Sequence, residues 1–296
     1  MKLSIITITY NNLAGLKGSV ESVLKQNYRN WELIVVDGGS SDGTKEWLQA
    51  TASLINKIGN ESHVSQQESL TSNNHTDIGI DEQFRYVSEP DKGIYNAQNK
   101  GIQMAEGEYC FFLNAGDEFC DNYVLEKMLL GEKSDIVYGN EIEVFYEEGK
   151  ILKKSRVWGV ENPTMVDIYL SCMKHQATFI KRSLFDRFGA YDESLKICAD
   201  WEWFFRVIGF NDDVSLHYKN VDVALFEAGG YSYTHPDICK KEKEIIINKY
   251  IQSSRLKADL DFLAHYKRLR EAEINPVLRF LLRSTMWCVK FFMRKH

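Results

Sequence analysis

The chain has 296 residues, 44% of them hydrophobic and 26% charged, which is the composition of an ordinary globular protein. That length suits one large domain or one and a half ordinary ones. A net charge of −6 argues against nucleic acid as a partner, and no apolar run reaches the roughly eighteen residues of a membrane span. Six cysteines, at 110, 120, 172, 198, 239 and 288, form no C-x-x-C pair and read as reduced thiols. The opening "MKLSIITITYNN" is a first strand rather than a signal peptide, so the expected location is cytoplasmic.

"LSIITITY" is a β-branched run with the character of a strand buried on both faces. Asn11 and Asn12 cap a helix in which Leu13, Leu16, Val20, Val23 and Leu24 recur at helical spacing. "WELIVVD" is a second buried strand, and strand–helix–strand at this length predicts a parallel βαβ unit. Residues 44–58 continue as a helix. Residues 59–81 are polar and aperiodic and predict an inserted mobile loop. "FRYVSEP" is a third strand. "KGIYNAQNKGIQMAEG" is a helix with Ile94, Ala97, Ile102 and Ala105 inward. "EYCFFL" is a fourth strand and "DNYVLEKMLL" a further helix.

Parallel units then give way to antiparallel ones. Residues 134–158 predict a strand and a hairpin turning at Glu148-Gly149. "HQATFI" is a strand, "KRSLFDRFG" a short helix, and "ADWEWFFRVIG" a helix with aromatics on several sides. "VDVALFEAGG" is the last core strand, and helices follow Pro236. The expected architecture is an α/β core with a mixed sheet over residues 1–235, divided at about residue 120, then a helical appendage over 236–296.

Ligands of open parallel sheets bind beyond the carboxyl ends of the strands. The polar motifs cluster at those ends: Thr9, Tyr10 and Asn11; Asp37 through Asp42; Glu89-Pro-Asp91-Lys92-Gly93; and Asn114-Ala-Gly-Asp117. Carboxylates converging on one cleft repel one another unless a cation or a base edge takes them. Mg2+ or Mn2+, shared with substrate phosphates, satisfies that need. A plain turn or cap role for Asp37, Asn114, Asp117 or Asp200 is the competing reading.

"SIITITYNN", "ELIVVDGGSSDGT", "EPDKGIYNAQNKGI" and "FFLNAGD", in that order, resemble the N-terminal half of the family 2 inverting glycosyltransferases, which have the GT-A fold. "HQATFIKRSLFDRFGAYDESLKICADWEWFFR" and "FEAGGYSY" resemble that family's acceptor-side segments. The resemblance covers residues 1–235 and is nearest to enzymes that build capsule, exopolysaccharide or lipopolysaccharide chains. It implies transfer of a sugar from a nucleotide-sugar donor, by family habit a UDP-sugar, to a glycan or lipid-linked acceptor. By position it implies donor contacts from Thr9, Tyr10, Asn11, Asp37, Ser40, Asp91, Lys92, Gly93, Asn96, Asn99 and Asn114. It implies sugar or acceptor contacts from His175, Gln176 and Trp201, a metal ligand in Asp117, and a general base in Asp200.

The chain departs from the family's Asp-x-Asp metal motif. Asn114 stands where the leading Asp is usual, and Gly116 where an acid is common. A neutral amide is the weaker ligand for a hard cation. The Gln-x-x-Arg-Trp motif and spans of processive synthases are absent, which favours single addition. Two rival functions stay open: a non-catalytic nucleotide-sugar-binding relative, and a sugar nucleotidylyltransferase, although "TYNNLAG" lacks the basic glycine-rich loop the latter wants.

In the tail, Arg279, Arg283, Lys290 and Arg294 fall within about 60° of one helical face, opposite a broad apolar remainder. Two readings follow: a helix lying on a membrane surface through residues 276–296, or one docked on its own enzyme.

Overall fold

The first two apolar runs form the middle of the sheet. In the computed structural model, which describes residues 1–53, 83–147, 150–170 and 173–274, β1 (Leu3–Thr9) and β2 (Trp31–Asp37) are buried along nearly their whole length. Ile6, Ile34 and Val36 pack into one apolar cluster, while Leu3, Ile5, Leu33 and Val35 pack into another. Successive strand residues point to opposite faces, so a strand covered on both sides has no polar face to show.

β3 (Phe84–Ser88) and β4 (Tyr109–Phe112) run parallel to them in the order β3-β2-β1-β4. The connections are α1 (Leu13–Leu24), α2 (described over residues 44–53) and α3 (Ile94–Met104). Asn12 caps α1 by accepting the Gly15 N–H at 3.0 Å. Register aligns the strand ends: Thr9 pairs with Asp37, and Asp37 with Ser88. The polar motifs that follow therefore begin at one level.

Glu32 fastens the other end of these strands. Fully buried on β2, it accepts from Ser4 Oγ at 2.5 Å and the Glu106 N–H at 2.7 Å, and pairs with Arg85 at 2.5 Å and Lys2 at 3.3 Å. Burial raises its pKa, but those hydrogen bonds and charges outweigh it and hold the carboxyl below its usual range.

Beyond β4 the sheet becomes mixed. β5 (Glu118–Phe119) and α4 (Val124–Leu129) lead to β6 (Ile136–Glu147), β7 (Lys150–Val157) and α5 (Met165–Tyr169). β8 (Thr178–Lys181) follows, then α6 (Arg182–Phe188), α7 (Ala199–Ile208) and β9 (Leu216–Glu227). The order continues β4-β8-β6-β9-β5, with β7 pairing β6 as an antiparallel hairpin. β4–β8, β8–β6 and β9–β5 are antiparallel, while β6–β9 is parallel. This mixed sheet flanked by helices is the expected fold class.

α7 is buried all round. Trp201, Trp203, Phe204 and Phe205 are each 5% exposed or less, which makes α7 a core helix rather than an amphipathic one. After the short α8 (Tyr231–Thr234), the C-terminal helices α9 (Pro236–Tyr250) and α10 (Ser254–Ile274) add Ile246, Ile251 and Leu260 to the cluster that holds Trp203.

Some local expectations change. "HQATFI" opens with a 3-10 turn, His175–Ala177, and only then becomes β8. Tyr95, not Ile94, faces inward from α3: Tyr95 is 5% exposed and Ile94 39%. The two-residue β5 and the short α5 carry too little periodicity to announce themselves. The loop expected at 59–81, the Glu148-Gly149 turn and the tail 276–296 lie outside the described residues.

Candidate active site

The carboxyl ends of the strands, the 3-10 turn, the N-terminus of α7 and the first turns of α9 enclose a cavity of about 830 Å³. Of the residues expected to act, Thr9, Tyr10, Asp91, Gly93, Asn114 and Asp117 line it from the side of the parallel strand ends. His175, Gln176, Asp200 and Trp201 line it from the other. Residues 9, 91, 117 and 200, remote in sequence, thus share one space.

Asp200 lies in the first turn of α7. Its Oδ2 meets His175 Nδ1 at 2.8 Å and its Oδ1 accepts from the Trp201 backbone N–H at 2.8 Å; Oδ1 also lies 3.0 Å from Tyr95 Oη, whose single proton it shares with the Ile197 carbonyl at 2.5 Å. Burial pushes this carboxyl up, but the His175 hydrogen bond and charge, the Trp201 N–H and Tyr95 outweigh it, so Asp200 stays below the usual carboxylate range. Burial likewise opposes protonation of His175, yet Asp200, then Asp117 and Glu141, raise its pKa. His175 Nε2 reaches Asn114 Nδ2 at 3.3 Å. One hydrogen-bonded path therefore runs from Asp200 through His175 to the end of β4.

Asp117 is 5% exposed and its Oδ2 has no hydrogen-bond partner. Burial pushes its pKa up to about 7; the His175 charge lowers it and Glu141 raises it. Such an orphaned buried oxygen fits a divalent cation. Among the described residues, however, no cluster of three His, Cys, Asp or Glu side chains could hold an ion unaided. Asp117 would supply one ligand and a substrate diphosphate the others. Gly116 has φ +107°, a conformation that side chains rarely adopt, so the turn excludes the acid common at this place.

Other expected residues sit away from the cavity. Asp37 is fully buried, and its carboxylate accepts from Ser40 Oγ at 2.5 Å, Ser40 N at 3.1 Å and Ser88 Oγ at 2.6 Å. These bonds make it a turn cap, with Ser40 as its partner. Asn11 receives Ser41 N on its Oδ1 at 2.8 Å, while its own N–H donates to Ser40 Oγ at 2.7 Å. Asn96 and Asn99 turn away from the cavity: each donates to Glu193 at 2.9 Å, and Asn99 also to the Tyr191 carbonyl at 3.0 Å. The Lys92 N–H donates to Asn96 Oδ1. Trp201 does line the cavity but is no free platform, because its indole N–H donates to the Ile168 carbonyl at 2.8 Å and the Lys243 ammonium sits 5.0 Å over its ring.

Several cavity residues escaped the sequence reading: Tyr95, Glu141, Glu143, Lys196 and Lys243. Tyr95 sits inside a quoted motif, and its neighbour Ile94 drew the apolar face instead. Glu141 and Glu143 alternate along β6, a period-2 signal that an apolar reading of the strand hides. The lysines carry no motif.

A mixed sheet whose parallel strand ends, together with one acidic helix start, close on a single cavity defines the GT-A class. The model of "Glycosyl transferase family 2" matches residues 4–189. Across 239 residues the chain is 28% identical to a PGL/p-HBAD biosynthesis glycosyltransferase of Mycobacterium bovis, covering 79% of this chain and 80% of that one. It is 33% identical over 128 residues to the putative teichuronic acid biosynthesis glycosyltransferase TuaG of Bacillus subtilis, covering 43% and 40%. S. aureus TarS 1–349 in complex with UDP superposes with TM-score 0.57 at 18% identity, covering 89% of this chain and 70% of that one. The mannosyltransferase PcManGT of Pyrobaculum calidifontis, in complex with GDP-Man and Mn2+, gives TM-score 0.57 at 16% identity, covering 97% and 79%. The chain belongs to glycosyl transferase family 2.

Proposed function

We propose that the protein moves one sugar from a UDP-sugar to a hydroxyl of a glycan or lipid-linked saccharide, with inversion, in surface-polysaccharide synthesis. The observation that carries this reading is the path Asp200–His175–Asn114, with steps of 2.8 and 3.3 Å. It puts an ionised carboxylate across one cavity from the strand ends that receive a donor. TarS complexes with UDP and a mannosyltransferase complex with GDP-Man and Mn2+ support the donor class.

Asp200 is the general base of this proposal. An acceptor hydroxyl is a poor nucleophile until its proton is taken, and a positioned carboxylate contributes about 10²–10⁴-fold. Tyr95 and His175 hold Asp200 ionised and oriented. Thr9, whose buried Oγ1 has no hydrogen-bond partner, Tyr10, Asp91, Gly93 and Asn114 are assigned to the donor, and Gln176 to the sugar. Asp117 is assigned to Mg2+ or Mn2+, which when bound would neutralise the leaving diphosphate. Base and leaving group on opposite sides of the anomeric carbon give in-line displacement without a covalent intermediate.

The test is incubation with UDP-sugars and candidate acceptors, with and without EDTA, scored by UDP release. Release that needs metal and fails in Asp200→Asn supports the assignment; donor binding without release under every condition favours a binding protein. Among the described residues no helix is long and apolar enough to cross a membrane. The tail pattern supports a peripheral site on the inner face of the cell membrane. Deleting residues 276–296 and fractionating cells checks this, and an unchanged membrane fraction would refute it.

A further inference from the structure

The charges around the cavity are sorted. Asp117, Glu141, Glu143 and Glu227 line it where β5, β9 and β6 run side by side. Lys196 and Lys243 line it on the side of Asp200, from the loop before α7 and from α9. A third cavity lysine, Lys174, is accounted for, since its charge lowers the pKa of Glu141 against burial.

Lys196 and Lys243 have no carboxylate of this kind: the charge of Lys243 instead lowers the pKa of the Cys198 thiol against burial. Among the described residues neither ammonium makes an ion pair, and neither donates a hydrogen bond. Glu242, next to Lys243 in sequence, is already used. Its Oε1 accepts the Lys196 N–H at 2.6 Å, and its Oε2 accepts the N–H groups of Ile197 and Cys198 at 3.0 Å each. It pins the loop backbone rather than the lysine heads. Lys243 rests over one face of Trp201, an interaction that satisfies none of its three N–H donors. Lys196 is exposed and Lys243 half-buried, but both line the cavity that Asp200 lines; two ammonium groups without ion pairs there are a place for an anion.

We infer that the acceptor carries an oxyanion, a phosphate or a carboxylate, close to the hydroxyl that is glycosylated, and that Lys196 and Lys243 seat it. The inference rests on the proposed transferase reading, because Asp200 defines which side takes the acceptor. Both lysines lie beyond residue 189, where the family match ends. That is where acceptor specificity peculiar to this chain would be written.

The experiment uses the full chain saturated with UDP and measures weak binding by saturation-transfer NMR. The probes are methyl phosphate, methyl β-glucuronide and the neutral methyl β-glucoside. At least one anionic probe should bind about tenfold tighter than the glucoside, and the stronger of the two names the source of the charge. Lys196→Gln with Lys243→Gln should remove the preference, whereas Lys243→Arg should keep it. Equal binding of all three probes overturns the inference, as does a preference that survives the double substitution. Anion binding that is seen without UDP and lost on saturation with UDP also overturns it, since the lysines would then serve the donor diphosphate. UDP affinity, measured alongside, separates the two failures: no UDP binding undermines the transferase reading, while normal UDP binding without anion preference undermines only the acceptor inference.

Discussion

The two walls of the cavity are built by different means. The donor wall of the proposed reading is four parallel strands, three of whose ends a continuous ladder brings to one level, from Thr9 beside Asp37 to Asp37 beside Ser88. The acceptor wall is assembled from a 3-10 turn, the start of α7, the end of β9 and the side of α9. A ladder transmits position from each strand to the next, so local sequence suffices to place the donor residues. The acceptor wall depends on contacts between segments far apart in the chain, such as Tyr95 with Asp200 at 3.0 Å and Glu242 with the 196–198 backbone.

Substitutions can break that contrast. The largest effect is expected at the acceptor wall: Asp200→Asn should lower turnover by about 10³-fold, the middle of the range of general-base contributions, while UDP affinity, read by calorimetry, stays as it was. Turnover near the wild-type rate would remove Asp200 from the mechanism. On the donor wall, Glu32→Ala leaves Arg85 and Lys2 without their buried partner. It should cost roughly 3 kcal/mol of stability in denaturant unfolding, because the charge anchors three neighbouring segments at once. Gly101→Ala probes the same wall more gently. An added Cβ would lie 2.3 Å from Ile6 Cγ2, so α3 must lift from β1, at about 1–3 kcal/mol.

Tyr95→Phe joins the two walls, since Tyr95 grows from α3 and its hydroxyl is shared between the Ile197 carbonyl and Asp200, the proposed base. Losing a hydrogen bond to a charged group should slow turnover about tenfold. It should also move the acidic limb of the pH–rate profile upward, because Asp200 loses a bond that favours its ionised form. The smallest effect concerns the Asp200–His175 pair as a pH-dependent brace. Asp200 is depressed, so its contribution is present above the ordinary carboxylate range and is lost as pH falls through its folded pKa. His175 is raised, so its contribution is present below the ordinary imidazole range and is lost as pH rises through its folded pKa. The thermal midpoint should therefore show a shallow alkaline decline that His175→Gln flattens.

The same contrast explains what could be read from the sequence. The βαβ order, both buried strands and the strand-end motifs were legible, because each is local and periodic. Asp37 shows where local reading stops: Ser88, fifty-one residues later, donates to its carboxylate, a partner that no local motif announces. Asn99 is similar, its partners Tyr191 and Glu193 lying more than ninety residues away. Lys196 and Lys243 had no signal at all, since a lysine near an aromatic residue means nothing until the fold brings both to a cavity.

The grip of Glu242 on three successive amides gives α9 a duty beyond packing. It is the splint that sets the bend leading to residue 200, so shortening the polypeptide after residue 235 would leave the parallel strands assembled and the proposed proton acceptor adrift. A trimmed protein that still captured UDP yet no longer turned it over would be the mark of that division of labour.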